Sequence, residues 1–183
     1  LSSFLFLSFI KPEPLRVFLI GDSTMADKIP ADFPETGWGM PFANLFNEAV
    51  EVQNHAYNGR STKSFRREGR WAKVQAQLKK GDYVFIQFGH NDEVPTKKTY
   101  TTETQFRDNL KKFVKETREK KATPVLLTPV ARRKFSADGK IEGTHDVYAQ
   151  IVRDVAAVEK VLLIDLDRKS QALYQQMGDE HSK

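Results

Sequence analysis

The chain has 183 residues, a net charge of +5 and 39% hydrophobic residues, a size and composition typical of one globular domain. It contains no cysteine, which excludes a disulfide framework, a thiolate zinc site, an iron–sulfur cluster and a cysteine nucleophile. The excess of basic residues favours polyanionic partners, and acidic polysaccharide fits that charge as well as nucleic acid does.

The first ten residues, LSSFLFLSFI, form an apolar stretch that is too short to span a bilayer, which takes about 20 residues. Its length, its Phe and Leu content and its terminal position are typical of the hydrophobic part of an export signal, and a buried strand is the alternative. We interpret residues 1–14 as a partial signal peptide with a proline spacer, and residues 15–183 as the folded domain. This predicts a secreted or periplasmic protein without stable membrane insertion.

Five short apolar runs follow, and most of them lack the alternation of a half-exposed strand. Such runs are typical of strands that are buried on both faces. They occupy residues 15–20, 50–53, 83–87, 124–128 and 161–166. Between them, apolar residues spaced by three and four predict helices that serve the core, at residues 71–78, 104–120 and 148–155. The order of elements predicts a three-layer α/β fold around a five-stranded parallel sheet.

Three of the predicted strands end in loops that combine glycine with short polar side chains. These loops contain Gly21-Asp22-Ser23-Thr24, Asn58-Gly59 and Gly89-His90-Asn91-Asp92. Loops of this composition form turns wherever they occur. In an open parallel sheet, however, ligands bind beyond the carboxyl ends of the strands. Three such loops at one edge therefore indicate a functional site.

Ser23 is the candidate nucleophile. A serine between a buried strand and the start of a helix projects its hydroxyl above the sheet, where the free N–H groups of the helix favour negative charge. The alternative is that Ser23 or Thr24 only caps that helix. Ester hydrolysis also needs donors to the oxyanion, and the backbone of Gly59 and the side chain of Asn91 can supply them. Taken singly, Gly59 is better explained by a positive-φ turn after Asn58, and Asn91 by an Asx turn.

Three ordered motifs carry a family resemblance. They are Gly21-Asp22-Ser23-Thr24, Asn58-Gly59-Arg60-Ser61-Thr62-Lys63-Ser64-Phe65 and Gln87-Phe88-Gly89-His90-Asn91-Asp92. From about residue 16 to its end, the sequence resembles the SGNH hydrolases, also called GDSL esterases. Gly37-Trp38-Gly39-Met40 and Gly69-Arg70-Trp71 narrow the resemblance to bacterial rhamnogalacturonan acetylesterases.

The resemblance implies a flavodoxin-like sheet and a serine esterase that removes acetyl groups from pectic polysaccharide. By position, Ser23 is the nucleophile, and the Ser23 backbone, Gly59 and Asn91 form the oxyanion hole. These donors make a metal unnecessary, and no cofactor is expected. The expected partner is an acetylated acidic polysaccharide and not nucleic acid. Five basic residues on or just after the second loop would steer this polysaccharide to the site: Arg60, Lys63, Arg66, Arg67 and Arg70. The alternative is that they form a solvated helix face.

The catalytic base is where the sequence departs from the family. A serine nucleophile needs a histidine that a carboxylate orients, and the family supplies both from an Asp-x-x-His motif after the last strand. These 183 residues contain no such motif, so we expect it beyond Lys183 and expect the given chain to hydrolyse esters poorly. Glu142-Gly143-Thr144-His145 imitates the motif but precedes the fifth strand. We interpret it as the start of a helix, with a catalytic His145 as the alternative, and His55 and His90 as residues that support loops.

Two alternative functions remain open. One is another SGNH carbohydrate or lipid esterase, because the motifs indicate the chemistry but neither the acid nor the alcohol. The other is a non-catalytic flavodoxin-like module that binds an anion at the turn of Ser23, although the charge of Asp22 opposes an anion there. The sequence indicates no oligomeric state.

Overall fold

The computed structural model describes residues 13–182, so most of the predicted export signal, residues 1–12, lies outside the described residues, as does Lys183. Five parallel strands form one sheet in the order β2-β1-β3-β4-β5. They are β1 (Leu15–Gly21), β2 (Val50–Asn54), β3 (Tyr83–Gln87), β4 (Thr123–Leu127) and β5 (Leu162–Ile164). The predicted α/β fold around a five-stranded parallel sheet is confirmed.

Helices connect the strands. They are α1 (Gly39–Phe42), α2 (Thr62–Arg67), α3 (Arg70–Gln77), α4 (Glu103–Glu119), α5 (Asp146–Glu159) and α6 (Leu166–His181), with short 3₁₀ helices at Pro30–Asp32 and Ala43–Leu45. Ser61 and Thr102 begin α2 and α4 with capping boxes, which satisfy backbone N–H groups at the helix starts. No helix within residues 13–182 is long and apolar enough to cross a membrane.

Helices α2, α3, α4 and α5 cover one face of the sheet and form the larger hydrophobic core with it. Phe18 and Ile20 of β1 and Val84 and Ile86 of β3 point into this core, with the period of two that a strand imposes. The apolar stripes of the helices predicted from the sequence pack here. These stripes therefore stabilise the fold and take no part in the chemistry.

The opposite face carries a smaller core and an open groove. Val17 and Leu19 of β1 lie in this core beside Met25 and Ala26, which follow the strand. Further along the same face is a cavity of about 430 Å³ with an almost entirely apolar lining. The lining includes Trp38, Phe42, Phe85, Leu127, Ile164 and Leu173. Helix α6 thus contributes to this second layer, while four helices form the first.

The prediction that all five strands are buried is wrong for the two edge strands: β2 has no fully buried residue, and β5 is more exposed still. Leu162 is 61% exposed and Leu163 is 37% exposed, because β5 is a short edge strand that pairs only with β4. The chain also leaves the strand early. Asp165 accepts a hydrogen bond from the backbone N–H of Arg168 and so begins α6. The apolar run at residues 161–166 is therefore divided between a strand and a helix.

Candidate active site

The three predicted loops lie together at the carboxyl edge of the sheet, because they follow the adjacent strands β2, β1 and β3. The backbone N–H of Tyr57 donates to the carbonyl of Gly21 over 3.1 Å, which joins the second loop to the first. The side-chain amide of Asn91 donates to the carbonyl of Arg60 over 3.1 Å, which joins the third loop to the second. The loops that carry Ser23, Gly59 and Asn91 are therefore brought together.

Ser23 lies in a turn, and the prediction that a helix begins beside it is wrong. The next helical residues are those of the 3₁₀ helix Pro30–Asp32. The turn is held by Asp22, whose Oδ1 accepts hydrogen bonds from the backbone N–H of Thr24 at 3.1 Å and from its hydroxyl at 2.9 Å. An aspartate that bonds the backbone two residues on competes with helix formation. Neither a helix dipole nor a helix cap therefore operates at Ser23.

The hydroxyl of Ser23 is available for chemistry. Ser23 is half-buried and lines a cavity of about 560 Å³ together with Thr24, Trp38, His90 and Tyr174. Among residues 13–182, no group forms a hydrogen bond with the Ser23 side chain. An accessible and unengaged hydroxyl at the edge of a cavity is what a serine nucleophile requires.

The two predicted oxyanion donors differ in how firmly they are held. Gly59 is exposed with φ of +74°, in a turn that the N–H of Arg60 closes onto the carbonyl of Tyr57 at 3.3 Å. The turn interpretation of Gly59 is confirmed, and it leaves room for an oxyanion role as well. Asn91 is 4% exposed, and its Oδ1 accepts from Lys97 Nζ at 2.8 Å, so it bridges loops and does not form an Asx turn. Neither residue lines the Ser23 cavity, and their oxyanion role stays a prediction.

Asp92 is a structural residue of the site that sequence analysis did not single out. Asp92 is fully buried. Its Oδ1 accepts hydrogen bonds from the backbone N–H of Thr62 at 3.0 Å, from the Thr62 hydroxyl at 2.6 Å and from the Thr101 hydroxyl at 2.8 Å. Burial raises the pKa of Asp92 to about 7, although these hydrogen bonds lower it. Asp92 thus ties the loop before α2 to the loop before α4. The sequence feature that could have identified Asp92 is the position of its carboxylate directly after Asn91.

The histidines occupy positions that limit their use as bases. His90 lines the Ser23 cavity, and burial, together with the charges of His145 and Arg132, lowers its pKa to about 3. A histidine with that pKa is a poor base at neutral pH. His145 is 1% exposed, directly precedes α5 and lies outside the Ser23 cavity, which confirms the helix-start interpretation. His55 is half-buried, and burial lowers its pKa.

Four of the five basic residues predicted to steer a polyanion are bonded within the protein. Arg60 and Arg70 both bind Glu68, at 2.9 Å each. Arg66 is paired with another carboxylate, and Lys63 donates to a backbone carbonyl. These contacts reduce the charge that the second loop presents to a ligand.

Two other arginines lie closer to the candidate nucleophile. Arg132 and Arg133 line the Ser23 cavity, and they follow the carboxyl end of β4 at the same edge of the sheet. Arg132 is paired with Glu93 at 2.5 Å, and Arg133 with Asp179. The sequence feature that could have identified Arg132 and Arg133 is their position just after a strand. Within the described part of the chain, no three His, Asp or Glu side chains are grouped so as to hold a metal ion.

Comparison with known proteins finds relatives over almost the whole chain. Residues 19–182 match the family described as GDSL-like Lipase/Acylhydrolase. The chain is 45% identical over 172 residues to rhamnogalacturonan acetylesterase RhgT of Bacillus subtilis, covering 93% of this chain and 73% of that one. It is 36% identical over 167 residues to the probable rhamnogalacturonan acetylesterase YesY of the same organism, covering 90% and 76%. The solved structure of B. subtilis YxiM is similar with a TM-score of 0.83 at 28% identity, over 91% of this chain and 48% of that one.

Proposed function

Because this chain belongs to the GDSL-like lipase/acylhydrolase family and is a carboxylic ester hydrolase, we propose that it removes acetyl groups from rhamnogalacturonan through an acyl-enzyme on Ser23. The observation that carries the proposal is the hydroxyl of Ser23, which is unengaged by the described residues and faces a cavity of about 560 Å³. The names of the relatives RhgT and YesY support a pectic substrate. The alternatives are other carbohydrate or lipid esters.

The reaction begins when Ser23 Oγ attacks the acetyl carbonyl. The oxygen that becomes negative accepts hydrogen bonds from the backbone N–H groups of Ser23 and Gly59 and from Asn91 Nδ2. As the bond between the acetyl carbon and the sugar oxygen breaks, the proton of the Ser23 hydroxyl passes to the sugar oxygen. Water then attacks the acetyl carbon of the acyl-enzyme, returns a proton to Ser23 Oγ and releases acetic acid. His90, with a pKa of about 3, does not hold the serine proton. The family resemblance assigns that task to the histidine of an Asp-x-x-His motif.

The site of action proposed for the enzyme is outside the cytoplasm. The apolar stretch LSSFLFLSFI and the polymeric substrate support secretion or a periplasmic location. Cell fractionation with detection of the chain tests this, and recovery in the cytoplasmic fraction alone would contradict it.

The test of the function has two readouts. The first is covalent labelling of Ser23 by a fluorophosphonate, located by peptide mass spectrometry, which needs a reactive serine but no turnover. The second is acetate release from acetylated rhamnogalacturonan, acetylated xylan and short-chain lipid esters. Ser23→Ala should abolish both, whereas the surface variant Ser136→Ala should keep both. Acetate release that survives in Ser23→Ala would refute the assignment of the nucleophile. Faster release from xylan or lipid esters would refute the pectic substrate alone.

A further inference from the structure

Gln87, the last residue of β3, is a buried amide that pairs with Gly21 just before the turn of Ser23. Its exposed fraction is 0%, and it follows the alternate positions Tyr83 and Phe85, which pack against the smaller core. The pleat of the strand therefore places Gln87 on the face of that core, where an apolar side chain is expected. A buried amide is unfavourable unless its polar atoms are hydrogen-bonded. Its partners therefore indicate what it does.

Both polar ends of Gln87 contact residues that line the Ser23 cavity. Trp38 Nε1 lies 2.5 Å from Gln87 Oε1, and Gln87 Nε2 lies 2.5 Å from Thr24 Oγ1. Trp38 and Thr24 both belong to the lining of the cavity. The proposed reaction assigns no step to any of these three side chains, yet they are bonded to one another directly beside the nucleophile.

The donors and acceptors of this network fix its direction. The indole N–H of Trp38 can only donate, so the oxygen of the Gln87 amide faces it and the amide N–H faces Thr24. The hydroxyl of Thr24 accepts from Gln87 and donates its one hydrogen to Asp22 Oδ1 at 2.9 Å. The hydrogen bonds thus run from Trp38 through Gln87 and Thr24 to Asp22, the residue directly before Ser23.

Trp38 also lies between two cavities. Trp38, Val130 and Tyr174 line both the Ser23 cavity and the apolar cavity of about 430 Å³, so they form the wall that the two cavities share. The backbone N–H of Trp38 donates to the carbonyl of Thr24 at 2.9 Å, which places the residue but not its ring. A hydrogen bond is directional, so the bond from the indole N–H to Gln87 sets which way the ring faces.

We propose that Gln87 is a positioning residue that limits the size of the acyl group: it holds the indole of Trp38 across the shared wall and so closes the apolar cavity to an acyl chain on Ser23. This inference rests on the proposed function, because it requires an ester at Ser23. An acetyl group needs no room beyond the Ser23 cavity, whereas a long acyl chain has to enter the apolar cavity to leave water. Gln87 touches no reacting atom and acts through Trp38.

The hydrogen bond to Trp38 is tested by ¹H–¹⁵N NMR of the indole N–H groups, without any need for turnover. The chain has two tryptophans, and Trp71 Nε1 donates to Glu116. Gln87→Met is close in volume but lacks the acceptor, so it should shift the indole signal of Trp38 upfield and leave that of Trp71 in place. Glu116→Met is the matched control and should do the reverse. An unchanged Trp38 signal in Gln87→Met would overturn the inference.

The limit on the acyl group is tested by labelling Ser23 with two fluorophosphonates that carry a methyl or an octyl chain on phosphorus in place of the acyl chain. The quantity to follow is the ratio of the octyl to the methyl labelling rate. In Gln87→Met it should rise at least about tenfold, because each methylene that moves from water into an apolar cavity is worth roughly fourfold in binding. Gln87→Glu still offers an acceptor to Trp38 and should keep the wild-type ratio, as should Glu116→Met.

Thr24→Val separates the two ends of the network. It removes the bond to Asp22 but keeps the bond between Gln87 and Trp38, so labelling by both probes should slow together and the ratio should stay at the wild-type value. A ratio that does not rise in Gln87→Met, although Ser23 is labelled, would overturn the inference and leave the proposed function intact. A ratio that rises equally in Gln87→Glu or Thr24→Val would also overturn it. If neither probe labels wild-type Ser23, the proposed function fails, and the limit on the acyl group fails with it.

Discussion

Removing the charge of Asp92 should change how the stability of this protein depends on pH. Asp92 is fully buried, and its pKa is raised by burial from its ordinary 3.8 to about 7. The folded protein therefore holds this proton more tightly than the unfolded chain does. It follows that the contribution of Asp92 to the free energy of unfolding is largest in acid and falls as the pH rises towards 7.

The size of the effect follows from the two pKa values. Between pH 5 and 7, the unfolded chain has Asp92 ionised while the folded protein keeps it protonated. At about 1.4 kcal/mol per pH unit, a slope that falls off as the pH approaches 7, the free energy of unfolding loses roughly 2 kcal/mol over that interval. Asp92→Asn cannot ionise and should lack this loss. Its amide oxygen can still accept from Thr62 and Thr101, as Oδ1 does in the wild type.

Asp92→Ala separates the charge from the hydrogen bonds. It leaves the N–H and hydroxyl of Thr62 and the hydroxyl of Thr101 buried without this acceptor. Each unsatisfied buried donor costs about 1–3 kcal/mol, so Asp92→Ala should be destabilised by at least about 3 kcal/mol at pH 5. These bonds connect the loop that carries Asn91 to the loop before α2 and to the loop before α4. Labelling of Ser23 by the fluorophosphonate should therefore also be slower in Asp92→Ala than in Asp92→Asn.

Urea denaturation of the wild type and both variants at pH 5, 6, 7 and 8 measures these free energies. The quantity to follow is the stability of Asp92→Asn relative to the wild type, because other titrating groups cancel in that difference. It should rise in favour of the variant by roughly 2 kcal/mol from pH 5 to 8. A difference that stays constant over this range would refute the argument that burial dominates at Asp92.

Two further substitutions test the packing around the site. Gly37→Ala should prevent folding or destabilise the protein severely, because an added Cβ would lie 1.9 Å from the carbonyl oxygen of Ala26. In Gly59→Ala the added Cβ meets no atom within 4 Å, so this variant should lose only about 1 kcal/mol of stability, for its positive φ. Thermal unfolding compares the two variants, and equal losses of stability would contradict this expectation. Arg153→Met should lower the free energy of unfolding by about 3–5 kcal/mol in urea denaturation, because it leaves Asp167, which is 3% exposed, without its 2.8 Å ion pair. A loss below about 1 kcal/mol would show that the pair contributes little to stability.

The sequence pattern determined which residues lie at the carboxyl edge of the sheet. The unalternated run before Gly21 predicted β1, and the run at residues 83–87 coincides with β3. Because parallel strands end at one edge, the loops of Ser23 and Asn91 had to be neighbours once these strands were identified. The same reasoning was less accurate for β5, because an exposed edge strand and the start of a helix can share one apolar run.

Tertiary structure alone decided which side chains at that edge form hydrogen bonds and ion pairs with one another. Glu93 meets His145 and Arg132 across dozens of residues, and Asp92 reaches back to Thr62, in each case because loops from different strands are folded over one another. Hydrophobic periodicity reports burial within one element, and motifs report chemistry within one loop. Neither carries information on which side chains from separate loops share a hydrogen bond. That choice is made by the packed core, which fixes the distances between the loops and thereby the charges that each buried group meets.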